Sequence, residues 1–217
     1  MTVKEWQDEF LLFKSDIRKS AHFDRAIERC FFLHSQIHEY EDGTLFSDFI
    51  AGVSEDLFKK RKKNSYTSLA WHIWHITRIE DAVSNILIAG SPQIFDDKWK
   101  TKINSPVCDS ANAFSRKDSD VFNDMVNMKN LLAYREKVGI STCKIIKNIR
   151  ESDLKSKPDA ASLKRIMAER VLTEEPDSFW LLDFWAKKTV EGFLLLPLTN
   201  HQMYHIRMSK KILSNLG

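Results

Sequence analysis

Glycine and proline are scarce in this chain, six and five in 217 residues, which argues against a fold rich in tight turns and loops. Cysteine is scarcer still. Cys30, Cys108 and Cys143 are odd in number and widely separated, so neither a disulfide framework nor a cysteine-rich zinc motif is expected. No apolar run approaches the roughly 20 residues that span a bilayer; the most apolar short stretch is Phe193 to Leu198. The first residues, with Lys4, Glu5, Asp8 and Glu9 around Trp6, lack the layout of a signal peptide. A cytoplasmic protein without a membrane partner is the expectation. Charge of one sign is also missing: 33 Lys and Arg against 30 Asp and Glu leave +3. That balance, with no basic stripe or recognition-helix signature, argues against a nucleic-acid partner. The densest basic run, Lys59 to Lys63, reads as a solvated linker.

What is present is helical periodicity. Hydrophobic residues make up 43% of the chain, enough to bury a core in a single domain over residues 1–217. The first amphipathic segment runs from Phe23 to Ile37, ending before Gly43. A shorter piece covers Leu45 to Lys60, weakened by Gly52. Ser65 or Thr67 caps the next helix, which continues to about Ala89 and stops at Gly90, Ser91 and Pro92. Within it Leu69, Ile76, Ile79, Val83, Ile86 and Leu87 share one broad arc at about 100° per residue. Residues 91–126 read as a long crossover with one or two short helical turns. Met128 to about Ile149 is a long helix in which Gly139 marks close packing or a bend, and a short helix follows near Ala161 to Val171. The last region carries Phe179, Leu182, Phe184, Trp185 and Val190, and is divided or kinked at Gly192 and Pro197. The fold expected is all-α: a bundle of four long helices with additional short ones and a long crossover connection.

The chemistry sits in the histidines. His201 and His205 are four residues apart, so on a helix their Cβ atoms lie roughly 5–6 Å apart on one face. Beyond Pro197 they share an arc with Leu198, Met208, Ile212 and Leu216, the side most suited to burial. A third imidazole is available from Trp71-His72-Ile73-Trp74-His75. His72 is central to the apolar arc of its helix, and His75 flanks it with Trp71 and Ala82. Three imidazoles suit Zn²⁺, Ni²⁺ or Fe²⁺ and leave a coordination position for water or substrate. The bland alternative is a histidine satisfied by a carbonyl or a carboxylate. That reading is stronger for His34 and His38, which Glu39, Glu41 and Asp42 can pair with or draw toward solvent. Glu80 and Asp81 read as acceptors behind a ligand or as helix-surface charges. Trp71, Trp74, Trp180 and Trp185 read as core or pocket residues. Tyr204 and Arg207 suit either a substrate anion and proton transfer or an ordinary surface.

The segment Leu69-Ala70-Trp71-His72-Ile73-Trp74-His75-Ile76-Thr77-Arg78-Ile79-Glu80-Asp81 resembles the second-helix motif of the DinB-like superfamily. Leu196-Pro197-Leu198-Thr199-Asn200-His201-Gln202-Met203-Tyr204-His205 resembles its distal histidine-pair motif. The resemblance implies a metal-binding four-helix bundle, often a homodimer, with one second-helix histidine and two distal ones on a divalent ion. Carried over position by position, the metal ligands are His75, His201 and His205. Periodicity alone favours His72 over His75, and His72 otherwise orients a ligand, binds substrate or packs internally. Nickel or zinc is the expected ion. Relatives within the resembled superfamily include transferases and isomerases that use bacillithiol or mycothiol. The expected activity is therefore metal-dependent transfer of a low-molecular-weight thiol to an electrophilic small molecule. The alternatives are a metal-dependent hydrolase using activated water and a noncatalytic metal-binding or dimerisation protein.

Overall fold

The computed structural model describes residues 1–38, 43–61, 65 and 67–214. Apart from an isolated bridge between Arg61 and Ser68, the regular structure among them is helical. Among the described residues no helix is long and apolar enough to cross a membrane.

The helical architecture begins earlier than Phe23. A first helix, α1 (Val3–Asp16), starts at a capping box in which the Thr2 hydroxyl accepts from the Glu5 N–H and the Glu5 carboxylate accepts from the Thr2 N–H. Its apolar stripe is thin, with Trp6 and Phe13 buried but Leu11 and Leu12 exposed, so the cap is a clearer signal than the periodicity. Helix α2 (Phe23–Ser35) follows and packs along α1. The piece expected over 45–60 is two helices, α3 (Leu45–Ile50) and α4 (Glu55–Lys59). They part at Gly52, whose φ of 76° is in the left-handed region that glycine enters freely. Of the basic run at 59–63, Lys59 belongs to α4 and pairs with Glu55; Lys62 and Lys63 lie outside the described residues.

Helix α5 (Leu69–Asp81) is capped by Ser68 rather than by Ser65 or Thr67. The Ser68 hydroxyl accepts from the Trp71 N–H at 3.0 Å and donates to Asn123 Oδ1 at 2.6 Å. Every residue of α5 is buried, so the amphipathic stripe expected there is replaced by a helix enclosed on all sides. It continues into wider π-type turns over Ala82–Ile88. The crossover holds two short helices, α6 (Asp97–Ile103) and α7 (Arg116–Met125). Helix α8 (Met128–Asn148) packs on α2 and α5. After α9 (Ala160–Ala168) and α10 (Pro176–Ala186), α11 (Val190–Leu195) passes through π-type turns at Leu196–Asn200 into α12 (His201–Leu213). Helix α12 packs on α5. The break before this last stretch falls at Lys187–Thr189, and Thr189 recaps α11 through the Gly192 N–H.

Two contacts between helices make the packing testable. Asp16, at the end of α1, accepts two hydrogen bonds from Arg25 at 2.9 Å and one from His22 at 2.8 Å, with Arg29 Nε 3.1 Å away. The Arg25 hydrogen bonds, helped by His22 and opposed by desolvation, hold the Asp16 carboxyl down at about 2 against an ordinary 3.8. A depressed carboxyl pKa contributes stability that is fully present above the unfolded value and lost as pH falls through the folded one. Asp16→Asn is therefore expected to lower the thermal midpoint at pH 7 and to flatten the loss of stability between pH 3.8 and about 2; an acid limb identical to wild type contradicts this role. The second contact is at Gly139, where an added Cβ would lie 2.4 Å from His38 Nδ1 and 2.8 Å from its Cγ. Gly139→Ala gains roughly 1 kcal/mol of helix propensity but drives a methyl into a buried ring. A net loss of about 1–3 kcal/mol in denaturant unfolding is expected, and a stabilised variant would count against the close approach.

Candidate metal centre

A helix buried on all sides must find a partner for each of its polar side chains. Along α5 that requirement strings the preceding face to a single loop strand. Arg78 Nε donates to the Cys108 carbonyl at 2.9 Å, Trp74 Nε1 to Asp109 at 2.8 Å, His75 Nδ1 to Ser110 at 2.8 Å and Trp71 Nε1 to Ala111 at 3.1 Å. Four consecutive carbonyls of the crossover thus run beside α5. The strand is held in turn by Ser110 N–H on the Val171 carbonyl, and Ala111 sits at a left-handed φ of 59°.

The consequence for His75 is chemical. A carbonyl only accepts, so His75 carries its proton on Nδ1 and keeps the lone pair on Nε2. The Trp71 indole lies flat on the ring, with centroids 4.8 Å apart and planes 8° from parallel. His75 is thus fixed in both tautomer and orientation. Across from it, α12 brings His201 and His205 to ring-centroid distances of 5.3 and 4.8 Å, and the candidate ligand atoms of the three residues lie within 4.8 Å of one another.

His72 stands behind this group. Its Nδ1 is 2.7 Å from His205 Nδ1, so one ring donates to the other. When His205 is the donor, its Nε2 is left with a free lone pair, as in His75. His201 Nδ1 and His72 Nε2 are buried and have no hydrogen-bond partner among the described residues. An orphaned imidazole nitrogen beside two others is the feature a bound ion would satisfy, and the donor set fits a divalent transition metal. Burial pushes His75 down to about 4, against the opposing effect of its bond to Ser110. Burial first and neighbouring imidazoles second push His72 and His201 to about 3 and lower His205 as well. All four rings are neutral at physiological pH, the form that coordinates metal.

A cavity of 170 Å³ adjoins His75 and His201, walled chiefly by Ile79, Leu181, Phe184, Trp185 and Leu196. A wider vestibule of 450 Å³ shares His75, Asn112 and Trp180 with it and reaches Phe114 and Asp177. The histidine group therefore has an approach on the His75 side. A separate groove of 710 Å³ is lined by residues such as Asn85, Lys144 and Lys157, and no histidine is among its described lining residues. Of the four tryptophans expected in the core or a pocket, Trp180 takes the pocket role. It is 53% exposed and forms part of the wall of both spaces, whereas Trp71, Trp74 and Trp185 are buried. Tyr204 and Arg207 are exposed on α12 and line neither space.

A second cluster is built from residues that the sequence pointed elsewhere. His34 and His38 are fully buried, and both face Glu80, itself fully buried. His34 Nε2 lies 2.6 Å from Glu80 Oε1 and His38 Nε2 3.0 Å from Oε2. Glu80 is neither a surface charge nor the acceptor behind His75. Burial opposes its charge, but the two imidazoles hold its carboxyl well below the ordinary value. The carboxylates proposed to serve His34 and His38, Glu39, Glu41 and Asp42, lie outside the described residues. Asp81 is likewise no surface charge: it accepts from Tyr134, Asn85 and the Ile94 and Phe95 N–H groups. Two clusters able to coordinate a metal ion are thus present, one of three histidines and one of two histidines and a glutamate. The pairing of His34 with Glu80 spans 46 positions, and no local spacing could have signalled it.

The sequence matches no protein-family model and no curated protein. The reading of the first cluster accordingly rests on its geometry. His72→Ala removes the group that His205 bonds to without touching the other three rings. Zinc affinity is expected to fall by about 10–100-fold with the fold retained, measured by competition with a chromophoric chelator; unchanged affinity would show that His72 merely fills space.

Proposed function

We propose that His75, His201 and His205 bind one divalent ion, zinc or nickel, in an enzyme of DinB-like four-helix-bundle type that transfers a small thiol to an electrophilic substrate. The observation that carries this reading is the convergence of the three rings beside an apolar cavity, with His75 Nε2 left available by the bond of Nδ1 to Ser110. A divalent ion held there supplies Lewis acidity, which makes a coordinated thiol or water a stronger nucleophile at neutral pH.

The residues of the chain do the rest. His75 and His205 are oriented from behind by Ser110 and His72. Ile79, Leu181, Phe184 and Trp185 exclude water from the cavity and favour an apolar electrophile. Asn112 and Trp180, shared by cavity and vestibule, lie where two reactants would meet. Among the described residues no carboxylate lines the cavity, which favours a nucleophile that ionises readily by itself over water needing a general base. The second reading, hydrolysis, draws on Asp177, a carboxylate on the wall of the vestibule. The homodimer belongs to the same proposal and rests on the resemblance of the two histidine motifs; the cytoplasmic setting is proposed from the three widely separated cysteines.

The test loads the protein with zinc or nickel and follows conjugation of bacillithiol, mycothiol or free cysteine to monochlorobimane. Metal-dependent conjugation is expected, falling by more than about 100-fold in His201→Ala, since losing a ligand costs more than the 10–100-fold typical of losing the group that orients one. His75→Ala should also release the ion from this centre. Metal-dependent cleavage of a nitrophenyl ester without thiol, lost in Asp177→Asn, would instead establish hydrolysis. Absence of both activities from the metal-loaded protein contradicts an enzymatic role.

A further inference from the structure

The His34–His38–Glu80 cluster shares none of the residues used above and lines none of the cavities described. We propose that it is a second metal site, closed and structural, taking a divalent first-row transition ion such as Zn²⁺ on His34, His38 and Glu80.

The donor set comes first. Two imidazoles and a carboxylate offer ligand atoms within 4.8 Å of one another, a combination suited to several such ions. It also contains what the other cluster lacks, a negative donor. In a dry interior the attraction between a carboxylate and a dication is far stronger than in water, so this cluster is expected to hold its ion the more tightly.

The surroundings are arranged to hold the rings. His34 is supported from behind, with Cys143 Sγ 3.4 Å from its Nδ1, in the same way that Ser110 supports His75. A thiol can accept as well as donate; where Nδ1–H donates to the sulfur, the Nε2 lone pair is presented toward Glu80 and His38. The His38 ring stacks on His34 with centroids 4.4 Å apart and is admitted by the missing side chain at Gly139. One turn of α8 therefore contributes both the gap for His38 and, four residues on, the thiol behind His34. Arg135, the nearby buried cation, makes hydrogen bonds to Thr77, Gln202 and the Ile37 carbonyl.

Closure sets the role. The three ligands are 0% exposed, so no substrate reaches the position that three donors leave, which the second Glu80 oxygen or a water would fill, and a site without such access is structural rather than catalytic. An ion there joins the end of α2 and the residues just after it to the last turn of the central helix α5. It enters while the chain folds and resists extraction afterwards. The competing state fills the cluster with protons, each imidazole donating N–H to one oxygen of Glu80, and needs no ion.

The experiment separates the two centres by composition. Wild-type protein refolded with excess zinc and desalted is compared with His75→Ala/His201→Ala/His205→Ala, which leaves the second cluster intact, and with Glu80→Gln. Wild type is expected to carry about two equivalents and each variant about one, counted by plasma emission spectrometry. The ion kept by the triple variant should survive a chelator in native buffer, leave on denaturation, and show imidazole and oxygen but no sulfur ligands by X-ray absorption. A folded triple variant without metal overturns the second site, whatever becomes of the first. A wild type with about one equivalent, retained in the triple variant and lost in Glu80→Gln, supports the second site and overturns the first.

Discussion

Complete burial of α5 is the constraint from which the rest of the molecule follows. Ordinary surface helices send their polar side chains to water; α5 has no such face, so Trp71, His72, Trp74, His75, Thr77, Arg78, Glu80 and Asp81 must each be satisfied inside the protein. The partners come from every direction: carbonyls 108–111 of the crossover, His205 of α12, His34 of α2 and His38 just beyond it, and Tyr134 of α8. The polar groups that might have destabilised the core instead fix which elements surround it. The same hydrogen bonds set ring orientation and tautomer, which is how a packing requirement becomes a chemical one.

The two histidine clusters sit on different sides of this helix and differ in what surrounds them. One consists of neutral imidazoles and borders an apolar cavity and a vestibule. The other contains a carboxylate and is sealed against α8 by Gly139 and Cys143. Access and charge together divide them into a site where an exchangeable ligand can enter and a site where it cannot.

Much of this architecture was legible in the chain. The helical class, the long crossover, α2, α8 and the two short helices in between follow from periodicity and from punctuation by glycine and proline. The placement of His201 and His205 on one face of α12 follows from their four-residue spacing; that face is buried at His205 and half-buried at His201. Less legible was the phase of α12 relative to α11, because π-type turns at 196–200 rotate the chain between them. Arc analysis on α5 favours His72 over His75, but both are buried, and what fixes the tautomer of His75 is the carbonyl of Ser110, 35 residues away. Helix α1 gives little periodic signal because its apolar stripe is thin. The partnership of Glu80 with His34 and His38 joins segments that have no local relationship in the sequence. In each case the missing information was tertiary: which group a buried polar atom meets.

The most direct measurement is a crystal structure of the zinc-loaded protein with anomalous scattering recorded at the zinc edge. The account predicts a peak about 2.0–2.1 Å from one imidazole nitrogen each of His75, His201 and His205, with His75 Nδ1 still bonded to Ser110. Anomalous density absent from that position, or a His75 ring turned so that Nδ1 rather than Nε2 faces His201 and His205, would contradict it.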